Sequence, residues 1–153
     1  MATKISTILD QLKDVTLPAL FPNKTEIPNA YSLIDNNDRL LKDAWGIRVN
    51  TGGTADYNTF NTTAVRQEIS IVLSREVVRL EHDNDPLHDA TKLILEDALI
   101  LRKDFLHISE IDIEGSIEKI DWNQNTGIEF VSGDNFNFIF TEVIFSFEIS
   151  EDL

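Results

Sequence analysis

Cysteine is absent from this chain of 153 residues. Its absence excludes disulfides and thiolate metal sites and is typical of proteins from a reducing compartment. No run of about 18 apolar residues occurs, which excludes a membrane-spanning helix. The N-terminal residues MATKISTILDQLKDV lack the pattern of a signal peptide. Apolar residues make up 42% of the chain, a content that predicts one folded domain over residues 1–153.

Basic residues are scarce, above all in the last third of the chain. The formal net charge is −14, and residues 104–153 contain twelve acids against one base, Lys119. Binding to a nucleic-acid backbone needs clustered Lys and Arg facing the phosphates, so this function is excluded. Three roles fit the acidic surface: it keeps the protein soluble, it repels polyanions, or it binds a basic partner.

Two helices are predicted from the spacing of apolar residues. Residues 4–20 carry one apolar stripe at helical spacing, with Pro18 and Pro22 placed to end or bend the helix. The second helix begins after Asp85, which is the predicted N-cap before Pro86, and runs to about residue 107. Its apolar stripe is wider than one face, which indicates contacts on more than one side.

Strands are predicted on either side of the second helix. Residues 44–50 and 64–80 alternate apolar and polar side chains, and the second strand has its core face on odd-numbered positions. An extended loop over 51–63 joins them. Further strands follow after residue 109. The order predicts an α+β fold: a mainly antiparallel sheet of four to five strands, packed by an N-terminal helix and one long central helix.

The last strand, FNFIFTEVIFSFEI over residues 136–149, does not have one apolar and one polar face. Either a bulge near Thr141 and Glu142 shifts its register, or both of its faces are covered for part of its length. A domain of this size offers one helical layer, so the second cover would come most simply from another subunit. The predicted interface residues are Phe136, Phe138, Phe140, Phe145 and Phe147.

No catalytic or cofactor motif is present, so we predict neither an enzyme nor a cofactor. Residues 81–89, EHDNDPLHD, are rich in Asp, Glu and His, but their spacing matches no known metal motif. Acids at a helix N-terminus explain the cluster more simply. In the predicted loop, Tyr57 and Phe60 either form a contact element or fold back on the sheet. Glu110, Asp112 and Glu114 share one face of a predicted strand.

The order of these elements resembles that of the tail terminator (tail completion) proteins of long-tailed bacteriophages. The resemblance rests on the helix over 5–20, the hairpin AWGIRVN…RQEISIVLSREVV around TGGTADYNTFNTT, the helix DPLHDATKLILEDALILRKDFL and the strand FNFIFTEVIFSFEI. It covers nearly the whole chain through element order rather than through a signature motif.

The resemblance implies a structural protein of the virion. Such proteins form a six-fold ring at the head-proximal end of the tail, where they cap the tail tube, end its polymerisation and provide the surface for the head connector. The implied partners are other copies of the chain, the major tail tube protein and a head-completion or connector protein. DNA passes through the lumen without binding, and Glu110, Asp112 and Glu114 are candidates for an acidic lining. Assembly would take place in the host cytoplasm.

Two alternatives stay open from the sequence. The first is a small metal-binding module or metal-dependent enzyme that uses residues 81–89. The second is an acidic adaptor or inhibitor that occupies a basic site on a host protein. The apolar last strand gives the second alternative no particular support.

Overall fold

The computed structural model describes residues 4–27, 43–49, 54–58, 62–77, 85–105, 117–122, 128–132 and 137–152. Its helical segments are α1 (Lys4–Gln11), a π-helical turn (Leu12–Thr16), α2 (Leu17–Leu20) and α3 (Pro86–Phe105). Its strands are β1 (Thr25–Glu26), β2 (Asp43–Arg48), β3 (Thr54–Asn58), β4 (Thr62–Val77), β5 (Ile117–Trp122), β6 (Glu129–Ser132) and β7 (Asn137–Asp152). These elements confirm the predicted α+β class.

The strands form one sheet in the order β1-β2-β4-β7-β5, with β3 paired to β4 and β6 paired to β7 outside this path. Only the β1–β2 pair is parallel among the described strands. The five strands of the path match the predicted number, and the two additional strands are short. The sheet is therefore mainly antiparallel, as the sequence predicts.

A long two-stranded ribbon is the centre of the sheet. The strands β4 and β7 have 16 residues each, and they pair in one register from Thr62 opposite Asp152 to Val77 opposite Asn137. Strands β2 and β3 flank one side of the ribbon, and β6 and β5 flank the other. The bulge considered at Thr141 and Glu142 does not occur, because both residues keep the common register opposite β4. Both faces of β7 must therefore be covered.

The helices cover one face of this ribbon, which we call the helix face. On β7 it carries Ile139, Val143, Phe145, Phe147 and Ile149, all almost completely buried. The facing residues on β4 include Ile69, Ile71 and Leu73, as the predicted odd-numbered core face requires. Helical side chains complete this main core, among them Ile8, Leu12, Leu17, Ile94 and Leu101.

The N-terminal helical segment spans the predicted 4–20 but changes its geometry in the middle. Pro18 lies in the first turn of α2. It has no N–H to donate, and its ring would clash with the carbonyl of Asp14 in a continuous α-helix. The π-helical turn before it places the N–H of Leu17 against the carbonyl of Leu12 instead. Proline thus bends the segment rather than ending it, and both Leu12 and Leu17 stay buried.

The predicted extended loop over 51–63 is largely wrong. Strand β3 lies within it and pairs with the beginning of β4, which starts at Thr62 rather than at residue 64. Polar residues and turn formers hid this pairing, because an edge strand needs only backbone hydrogen bonds to a neighbour that is already in place. The backbone of Tyr57 lies in β3, with a register irregularity between Ala55 and Tyr57. Phe60 lies outside the described residues.

Helix α3 begins where the sequence places it. The backbone N–H of His88 donates a hydrogen bond of 3.0 Å to the Asp85 carboxylate, so Asp85 is the N-cap before Pro86. The described helix ends at Phe105, two residues before the predicted end. Arg102 and Lys103 lie in its last turn, where positive charge is favourable to the helix dipole.

Replacing Asp85 with alanine should lower the free energy of unfolding by about 1 kcal/mol, because the first turn loses its side-chain acceptor. Asparagine at the same position retains an acceptor oxygen and should have almost no effect. Urea unfolding of both variants measures the difference. An equal loss from asparagine and alanine that appears only with a divalent metal present would contradict the capping role and favour a metal site.

Candidate functional site

The aromatic residues of β7 lie in different environments. Phe145 and Phe147 are fully buried on the helix face, with ring centroids 6.3 Å apart in a stacked arrangement. Phe138 is buried on the opposite face, and Phe140 beside it is half-buried. Phe136 lies outside the described residues. The core of a single chain thus holds the Phe138, Phe145 and Phe147 side chains, which corrects the expectation that a neighbouring subunit must cover them.

The opposite face of the ribbon has a small apolar cluster of its own. Ile27, Ala44, Val72 and Phe138 are buried together, with Phe140 against them. Ile27 follows β1, and its backbone N–H donates a 2.7 Å hydrogen bond to the Trp45 carbonyl. Val72 lies at an even-numbered position of β4, off the predicted core face, but it is fully buried in this cluster. The chain therefore supplies part of the second cover itself.

Polar groups continue the opposite face beyond this cluster. Ser70, Ser74 and Ser146 are buried there, as is the Glu142 carboxylate. Arg48 of β2 forms an ion pair with Glu142 across the intervening strand β4. A buried carboxylate is expensive unless it is paired, and Arg48 supplies that pairing. The serine side chains are small, and the charge of Glu142 is neutralised by Arg48. This part of the sheet can therefore be buried although it is polar.

A cluster of four charged side chains joins the helices to the sheet. The Asp97 carboxylate of α3 accepts hydrogen bonds from Arg75 Nε at 2.8 Å and Arg75 Nη2 at 2.9 Å. Lys24 Nζ lies 2.9 Å from Asp97 Oδ2 and also pairs with Asp43. Arg75 Nη1 lies 3.3 Å from Asp43 Oδ2. The cluster has two cations and two anions, so its net charge is zero.

Two members of this charge cluster are almost completely buried. The side chains of Lys24 and Asp97 are only 4% and 5% exposed, and Lys24 Nζ also lies 5.5 Å from the Phe21 ring centroid. The hydrogen bond from Arg75 to Asp97 raises the pKa of Arg75 above its usual value, against the lowering effect of burial. Arg75 therefore stays charged at any pH at which the protein is handled. A permanently charged guanidinium does not transfer protons, so the cluster offers no acid–base pair through Arg75.

The acidic and histidine-rich segment 81–89 is only partly described. Residues 81–84 lie outside the described part of the chain. Asp85 caps α3, while His88 and Asp89 are exposed in its first turn. In the described ranges, no group of three or more acidic or histidine side chains is arranged to hold a metal ion. For its described members, the helix-terminus explanation accounts for their positions. The candidate lumen residues Glu110, Asp112 and Glu114 also lie outside the described residues.

The exposed part of α3 carries many apolar side chains. Five of its aliphatic side chains are exposed by more than 40%. They are Leu87, Leu93, Leu95, Leu99 and Ile100. The sequence predicted that this stripe is too wide for one contact, and the sheet does cover only the side with Ala90, Ile94, Ala98 and Leu101. At 100° per residue, Leu95 and Leu99 lie on one flank of the helix and Leu93 and Ile100 on the other, with exposed charged residues between them. Exposed apolar groups of this extent often mark binding surfaces.

A second apolar surface was not predicted. Ile128, just before β6, and Phe130, within it, are 40% and 52% exposed. Phe130 pairs with Ile139 at the edge of the sheet. The short apolar run IEFV is visible in the sequence, but a run of this kind is equally typical of a buried strand. Its exposure follows from its place at the sheet edge, which depends on partners distant in sequence.

Among the described residues, no helix is both long enough and apolar enough to cross a membrane. No model of a known protein family matches this chain, and no curated protein matches it.

Proposed function

We propose that this chain is a structural assembly protein of the tail terminator type, which forms a ring on the end of a phage tail tube. The observation that carries the proposal is the set of exposed aliphatic side chains on α3. Single exposed apolar residues are common, but α3 has two exposed pairs, Leu95 with Leu99 and Leu93 with Ile100, and such pairs favour a contact. A chain with a net charge of −14 needs such a contact to overcome the repulsion between its copies.

The α+β architecture supports the same proposal. Element order carried the resemblance to tail terminators, and the helical segment, the long hairpin strands, α3 and the final strand follow in that order. Each copy completes most of its core before it associates, because both faces of the β4–β7 ribbon are largely covered. A ring of such subunits forms from folded monomers, with contacts between surfaces rather than through shared cores.

The proposed partners follow from this role. They are further copies of the chain in a six-membered ring, the major tail tube protein below it and a head-completion or connector protein above it. DNA passes through the lumen as cargo. An acidic lining would repel it, and the charge of −11 over residues 104–153 supports that arrangement, with Glu110, Asp112 and Glu114 as candidates. The site of action is the head-proximal end of the virion tail, and assembly takes place in the host cytoplasm. No catalysis is involved.

The test is assembly with tail tube subunits, followed by electron microscopy and by size-exclusion chromatography with light scattering. We expect rings at one end of each tube and shorter tubes as more of the protein is added. The double variant Leu95→Glu, Leu99→Glu should fold normally but lose the rings, since both side chains are exposed in the monomer. A protein that stays monomeric at all concentrations and leaves tube length unchanged contradicts the proposal.

A further inference from the structure

No further inference is drawn: the strongest candidate, the exposed aliphatic side chains on the two flanks of α3, carries none, because charged residues of both signs lie between the flanks and nothing in the described part of the chain shows what covers this surface.

Discussion

Replacing Phe145 with alanine should lower the free energy of unfolding by about 3–5 kcal/mol, the range found for large aromatic side chains removed from a core. Phe145 is fully buried on the helix face and stacks with Phe147. It lies opposite Ile69 in the centre of the β4–β7 ribbon. The helices and the β4–β7 ribbon cannot move together far enough to fill the resulting cavity, so the lost contacts are only partly recovered. Urea unfolding followed by circular dichroism measures the effect.

Phe130→Ala is the matched control for this variant. The substitution is the same, but Phe130 is 52% exposed, so the free energy of unfolding should change by less than about 1 kcal/mol. If Phe145→Ala were as mild as Phe130→Ala in the monomer but abolished assembly, Phe145 would belong to a subunit interface, as the sequence first suggested.

Replacing Asp97 with asparagine should lower the free energy of unfolding by about 3 kcal/mol, the lower end of the range for breaking a buried ion pair. Lys24 and Arg75 then have only Asp43 as a counter-charge, and its side chain is 35% exposed. Asp97 is the shared acceptor of Lys24 and Arg75, and the Lys24 side chain is 4% exposed. Asparagine keeps the size of the side chain but supplies no negative charge. Its amide group would also place donors against the donors of Arg75. The effect is therefore electrostatic rather than a result of lost packing.

Glu96→Gln provides the comparison for Asp97→Asn. The adjacent residue undergoes the same chemical change at an exposed position, where a charge contributes at most about 1 kcal/mol. Thermal and urea unfolding of the two variants should therefore differ clearly. Equal, small losses from both would mean that water reaches the Lys24–Asp97–Arg75 cluster freely, and that the cluster does not hold α3 on the sheet.

The order and type of the main elements could be predicted from local patterns. The alternation in β4 predicted its core face, and Ile69, Ile71 and Leu73 lie on that face. Asp85 and Pro86 marked the beginning of α3 correctly. These features depend on interactions between residues close in sequence, so a short stretch of sequence is enough to predict them. The strand β3 could not be predicted in this way, because its pairing depends on a neighbour rather than on its own side chains.

The second face of β7 shows the limit of inference from a pattern. FNFIFTEVIFSFEI left two interpretations open, a shift of register or cover on both faces, and the unbroken register of β7 against β4 decides for the second. A neighbouring subunit was predicted as the second cover because the chain is small. This prediction was wrong for Phe138, Phe145 and Phe147, which the chain itself buries. Ile27, Ala44 and Val72 come from three separate segments, and no local pattern brings them together.

The sequence by itself determined the α+β class, the acidic charge, the absence of disulfides and the apolar excess of α3 and β7. These follow from composition and from periods of two and 3.6 residues, which the backbone geometry imposes on any chain. Only the tertiary structure decided which apolar residues are buried in the core and which stay exposed to solvent. The aromatics of β7 are largely buried, whereas the leucines of α3 and Phe130 stay exposed. That division depends on how the helices and strands pack together, because the exposure of a side chain is set by neighbours that are distant in sequence.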